Sequence, residues 1–164
     1  MPPKTTVQLE ELGRELEQKA RSAPSAEALM QLICDRLQQT LLKYNWVGFY
    51  LLKKGESGKE DMLELGPFVG SMTPHTRIPL HQGICGAAAS SGKTVVVDDV
   101  MKDARYLACS VETKSEIVVP VFVKGKVVGE LDIDSHFLAA FGPEDRKLVE
   151  RCAALVGRYL EQRA

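Results

Sequence analysis

The stretch Leu107–Asp134, LACSVETKSEIVVPVFVKGKVVGELDID, constrains the fold more than any other part of this chain. Two runs rich in β-branched residues, 116–123 and 127–134, flank Lys124-Gly125-Lys126, and that pattern predicts a β-hairpin. The side-chain alternation then selects a register. A two-residue turn at Lys124-Gly125 would pair Val123 with Lys126 and set Glu116 opposite Ile133. A three-residue turn pairs Val123 with Val127, Glu116 with Asp134 and Val118 with Asp132. Only the second leaves one uniformly apolar face, made of Ile117, Val119, Val121, Val123, Val127, Gly129, Leu131 and Ile133. A one-residue slip would mix the two faces, which burial opposes. The expectation is therefore a three-residue turn, with Gly125 supplying the positive φ that such turns favour.

This register places Glu116, Asp132 and Asp134 on one face at one end of the hairpin. Like charges directly opposed on paired strands destabilise by up to about 1 kcal/mol. Two readings follow. The acids form a solvated strand end, or they line a site that grips an amine or donates protons, where a cation or a shared proton relieves the repulsion. Cys109 lies just before them in the polar segment RYLACSVETKSE. A cysteine in a loop is accessible, the first requirement for thiol reactivity, although accessibility alone does not make it reactive.

Elsewhere the chain reads as one domain. At 164 residues it can bury a proper core, and 45 % hydrophobic with 26 % charged residues is ordinary for a globular protein. A net charge of -1 provides no field to recruit nucleic acid or an anionic membrane. The apolar runs are too short to span a bilayer. The charged N-terminal stretch has no apolar signal core, which predicts a cytoplasmic address. Residues 6–21 predict an exposed helix with a thin stripe, Leu9, Leu12 and Leu16, suited to docking on the domain or on a second subunit. A second helix, about 26–43 with Ser25 as N-cap, carries Leu29, Ile33, Leu37 and Leu41 at helical spacing. Strands are expected at 46–52, around 62–68, at RIPL and at 94–100. A short helix in GICGAAASSG closes at Gly92, and a last helix opens at Gly142-Pro143-Glu144-Asp145. This order predicts an α+β domain: a central antiparallel sheet of five or six strands with helices packed on it.

The four cysteines, Cys34, Cys85, Cys109 and Cys152, form no CxxC pair and match no zinc spacing; His75, His81 and His136 are equally scattered, so no metal is expected. Cys34 and Cys152 fall on or beside apolar helix stripes and read as core residues. Cys85 opens the small-residue helix, where N-terminal amides would lower a thiol pKa; it reads either as a reactive thiol or as a small residue in a tight turn.

Five blocks occur in order: NWVGFYLL (45–52), LELGPFVG (63–70), RIPLHQGICGAAA (77–89), LACSVETKSEIVVPV (107–121) and GELDID (129–134). Together they resemble the free methionine-(R)-sulfoxide reductases, which are stand-alone GAF domains, over roughly residues 25–160. The resemblance implies a single GAF domain across 1–164, with its core at 25–162. It implies that Cys109 attacks the sulfoxide sulfur, releasing methionine and leaving a sulfenic acid, and that Cys85 condenses with that sulfenic acid to a disulfide. Glu116, Asp132 and Asp134 match the acids that bind the substrate amino group and the sulfoxide oxygen; Trp46 and Tyr50 match an aromatic wall at its methyl end. No bound cofactor is implied, thioredoxin is the external reductant, and a homodimer is expected. The sequence departs from the family pattern at two places. Pro74 and His75 stand where a further cysteine is common, leaving Cys85 as the resolving thiol that matches a motif. Ser110 follows Cys109 where an aspartate is common. The alternatives are a GAF module that senses a small ligand without chemistry, and a thiol redox sensor using Cys109 and Cys85.

Overall fold

The computed structural model describes residues 4–107 and 112–163. Helices α1 (Lys4–Ala20) and α2 (Ala26–Thr40) lead into strands β1 (Trp46–Lys53), β2 (Met62–Val69) and β3 (Arg77–Pro79). Helix α3 (Gly83–Ser91), strand β4 (Val95–Val97), the hairpin β5 (Ser115–Val123) and β6 (Lys126–Ser135), and helix α4 (Pro143–Gln162) follow. The strands form one six-stranded sheet in the order β3-β2-β1-β6-β5-β4, with every pairing antiparallel. The expected α+β architecture is the one observed.

Local signals act where expected. Ser25 caps α2 by accepting from the Ala28 N–H at 3.0 Å, satisfying a donor with no partner inside the helix. At the start of α4, Asp145 accepts from the Gly142 N–H at 3.0 Å and from the Tyr44 hydroxyl at 2.7 Å, which ties the helix to the connection between α2 and β1. The thin leucine stripe of α1 is used within the chain. Leu9, Leu12 and Leu16 are buried in the main core, and Glu17 and Glu15 accept from Arg151 of α4 and Arg36 of α2. The 94–100 segment departs from expectation: only Val95–Val97 is strand, because the Asp99 side chain accepts from the Met101 N–H and draws the backbone into a 3-10 turn at Val100–Lys102.

The hairpin corrects the predicted turn while keeping its consequence. Val123 pairs with Lys126 across a two-residue turn in which Lys124 and Gly125 both have positive φ, 51° and 77°. That primed turn matches the strand twist better than a longer loop. A register shift then intervenes, because Phe122 faces Val127 whereas Val121 faces Gly129. The extra residue is a bulge, and beyond it Val118 faces Asp132 and Glu116 faces Asp134, as the apolar face requires.

The two faces of the sheet are covered differently. Helices α1, α2 and α4 pack on one, over Val47, Phe49, Ile117, Val119, Leu131 and Ile133. The other is covered by α3, a helix of small residues. Gly86 permits its close approach, since a β-carbon there would lie 2.7 Å from the Leu80 carbonyl oxygen.

Candidate functional site

Beneath α3, the three central strands present side chains in cross-strand rows. Trp46, Asp134 and Glu116 form one row; Gly48, Asp132 and Val118 the next; Tyr50, Glu130 and Pro120 the third. Strand β6 therefore carries a column of three acids, Asp134, Asp132 and Glu130, two residues apart on one face. All three and Glu116 are buried, Glu130 completely. The solvated-strand-end reading is thus excluded. Glu130 is the acid the sequence reading missed. Its signal was present: the same two-residue alternation that selects Asp132 and Asp134 extends inward to position 130.

The aromatic residues lie beside the column. Gly48 has no side chain, and a β-carbon there would collide with the Trp46 ring, so the glycine lets the indole lie across the strand. Trp46 stacks on Phe68 at 5.7 Å, sits 6.3 Å from the Tyr50 ring, and donates its indole N–H to the Ser71 carbonyl at 3.0 Å. The Tyr50 hydroxyl donates to the His75 carbonyl at 2.7 Å, fixing the segment that leads into β3. A cavity of about 20 Å³, room for one water molecule, is lined by Tyr50, His75, Cys85, Leu107, Glu116 and Asp132 among others. Of the predicted residues, Tyr50, Cys85, Glu116 and Asp132 border it directly, while Trp46 and Asp134 stand beside it in the row of Glu116 on the same face. Cys109 lies outside the described residues; Leu107, two positions before it, is in the cavity wall.

Cys85 sits at the third position of α3, buried over the acids, and donates its S–H to Asp132 Oδ2 at 3.4 Å. Its thiol pKa is pushed well above the usual thiol range, first by burial and then by the charges of Asp132, Glu130 and Glu116. The expected lowering by the helix N-terminus is thereby reversed: acids beneath a dry thiol outweigh the helix amides. Cys34 and Cys152 are buried in the main core, as expected, and burial raises both, Cys152 to about 12.

The acids divide the site's charge unequally. Burial raises the pKa of Glu116, Glu130 and Asp134 well above the carboxylate range, and the charge of Asp132 raises each further. Burial also raises Asp132, yet hydrogen bonds from Glu116 and Cys85 act in the opposite direction. Hydrogen bonds oppose the rise at Glu130 and Asp134 as well, from Cys85 and Glu116, so the cluster as a whole holds protons more tightly than free carboxyls do. Both Glu130 oxygens, Asp132 Oδ1 and Asp134 Oδ1 have no hydrogen-bond partner among the described residues. The Cys85 sulfur and an oxygen each of Glu116 and Asp132 lie within 4.8 Å of one another, close enough to share a single cation, ammonium included. The arrangement can accept one positive group, donate protons to an oxygen atom, and bring a thiol to the same point.

A six-stranded antiparallel sheet with a short helix over one face and a polar cavity between them defines the class, and residues 25–160 match the family described as GAF domain. The free methionine-R-sulfoxide reductase of Escherichia coli is 36 % identical over 124 residues, covering 76 % of this chain and 71 % of that protein. The enzyme of the same description from Saccharomyces cerevisiae is 38 % identical over 128 residues, 77 % and 69 % of the two chains. The X-ray structure of the free methionine-R-sulfoxide reductase from Neisseria meningitidis, in complex with its substrate, superimposes with a TM-score of 0.89 at 33 % identity, covering 98 % of this chain and 93 % of that one. The chain belongs to the GAF-domain family and, within it, to the free methionine-R-sulfoxide reductases. Among the described residues no helix is long and apolar enough to cross a membrane.

Proposed function

We propose that this protein reduces free methionine-(R)-sulfoxide to methionine with Cys109 as the attacking thiol. The observation that carries the reading is the cluster of four buried acids under Cys85, whose carboxyls burial pushes above their ordinary range. A sulfoxide oxygen must gain a proton as a thiolate attacks the sulfur, and Glu116 and Asp134 are acids at that place whose hold on a proton burial strengthens. Asp132 supplies a buried counter-charge for an ammonium, which a free amino acid carries and an internal peptide residue lacks. Trp46 and Tyr50 provide the apolar side for the methyl end.

The first half-reaction balances within the site: the thiol proton passes to the acids, an acid proton goes to the sulfoxide oxygen, and that oxygen ends on the thiol sulfur as a sulfenic acid while methionine leaves. Cys85 then condenses with the sulfenic acid, releasing water and forming a disulfide, which thioredoxin reduces. The setting we infer is a cytoplasmic homodimer in which each chain is one GAF domain, with no metal or bound cofactor.

The test is methionine release from each free epimer with dithiothreitol. The R epimer is consumed, the S epimer is not, and Cys109→Ser abolishes release. Turnover of neither epimer overturns the proposal, and binding of the R epimer without turnover would favour a ligand-sensing module instead.

A further inference from the structure

Glu130 has no part in the reductive chemistry derived so far, yet it is the most deeply buried acid of the site. It is completely buried, neither oxygen has a well-formed hydrogen bond among the described residues although the Cys85 thiol is near enough to offer one, and it is the innermost of the three acids on β6. An acid in that state contributes nothing to the fold; an apolar side chain of the same size would be neutral or better. The groups facing it are few. Asp132 is the next acid on its strand, Cys85 reaches it from α3, Tyr50 opposes it on β1 with its hydroxyl committed to the His75 carbonyl, and Pro120 opposes it on β5 with nothing to donate. Glu116 acts on Cys85 from the same face.

Among these groups Cys85 is the one whose needs change during the reaction. Its single S–H points at Asp132 Oδ2. Once that proton leaves, the sulfur is an anion in a dry pocket beside carboxyls, where it needs a hydrogen-bond donor. We propose that Glu130 is a positioning residue for Cys85: a neutral carboxylic acid whose O–H is free to turn to the Cys85 sulfur when the thiol proton passes to Asp132. Burial and the Asp132 charge both hold Glu130 in the protonated form that this role requires.

The step rests on the reductase reading for its electrophile, and it balances. The Cys85 S–H bond breaks and its proton moves to Asp132. The thiolate, held by the Glu130 O–H, attacks the sulfenic sulfur; the S–S bond forms, the S–O bond breaks, and hydroxide takes the proton from Asp132 and leaves as water. Cys85 is oxidised, the sulfenic sulfur is reduced, and Glu130 ends as it began.

The experiment follows Cys85 alone. In the full-length Cys109→Ser protein, methyl methanethiosulfonate transfers its methylthio group to the Cys85 thiolate, and mass spectrometry of the Cys85 peptide gives the rate across a pH series. Removing the donor in Glu130→Met lowers that rate about tenfold or more, the effect of one hydrogen bond to an anion, and shifts its pH profile upward. Glu130→Gln keeps an N–H donor of similar reach and holds the rate within about threefold of the parent. Equal rates in the parent and in Glu130→Met overturn the proposal. A loss in Glu130→Gln as large as in Glu130→Met also overturns it, since titration rather than donation would then be at work. So does failure of Glu130→Met to fold, because an acid without partners is not needed for the fold. No sulfoxide enters these measurements. A wild type that releases no methionine from either epimer would remove the reductase reading, while the Cys85 rates would still decide whether Glu130 supports its thiolate.

Discussion

The two faces of the central sheet share their strands but differ in what they bury. One face holds Phe49, Ile117, Leu131 and Ile133 against three helices, in a core built mainly of aliphatic and aromatic side chains. The other holds Glu116, Glu130, Asp132 and Asp134 under a short helix of small residues, at comparable depth. Neighbours along β6 therefore serve opposite ends: burial of Leu131 and Ile133 drives folding, whereas burial of Asp132 and Asp134 opposes it. The difference shows where the fold's surplus stability is used. Packing on one face holds in place a desolvated charge cluster that would not persist by itself.

That contrast can be broken most sharply at adjacent positions. Leu131→Ala should lower the free energy of unfolding by about 2–5 kcal/mol in chemical denaturation, the range for a buried leucine whose cavity cannot collapse. Asp132→Asn, one residue away, should leave stability unchanged or improved while kcat/KM for the R epimer falls by about 100-fold or more, since the counter-charge and proton acceptor are both lost. Equal destabilisation in the two variants would mean that the faces are not distinct in this sense. A smaller effect concerns pH. Glu116, Glu130 and Asp134 have folded pKa values raised above their ordinary values of 4.5, 4.5 and 3.8, so the native state binds more protons than the unfolded chain above that range. Stability should then be fullest below the ordinary carboxylate pKa and decline as pH rises towards the raised values. Melting temperature against pH would show it, and Glu130→Met should flatten the slope; a slope unchanged in that variant would mean that Glu130 titrates in the ordinary range.

Much of this was legible in the sequence. The strands and helices are local, because β-branched runs, Ser25 as a cap and Gly142-Pro143 as a helix start act within a few residues. The meeting of Glu116 with Asp134 followed from alternation and one apolar face, even though the turn itself was misjudged. Two compensating irregularities, a tight turn and a bulge, produce the same pairing as one longer turn, and hydrophobic pattern cannot tell them apart. Glu130 escaped notice because a single acid in GELDID reads as a solvated residue until its strand is known to be central. The pKa of Cys85 was assigned in the wrong direction because a helix start is visible in sequence whereas the acids beneath it, 31 to 49 positions further on, are not.

What the chain's order alone determined is therefore most of the elements, the pairing of Glu116 with Asp134 and Val118 with Asp132 at the far end of the hairpin, and the residue types at the site, since each depends on periodicity and on neighbours along the backbone. Only the tertiary structure decided the protonation of the site. That property depends on α3 closing over β6, which removes water from four carboxyls and a thiol, and desolvation acts through space rather than along the chain.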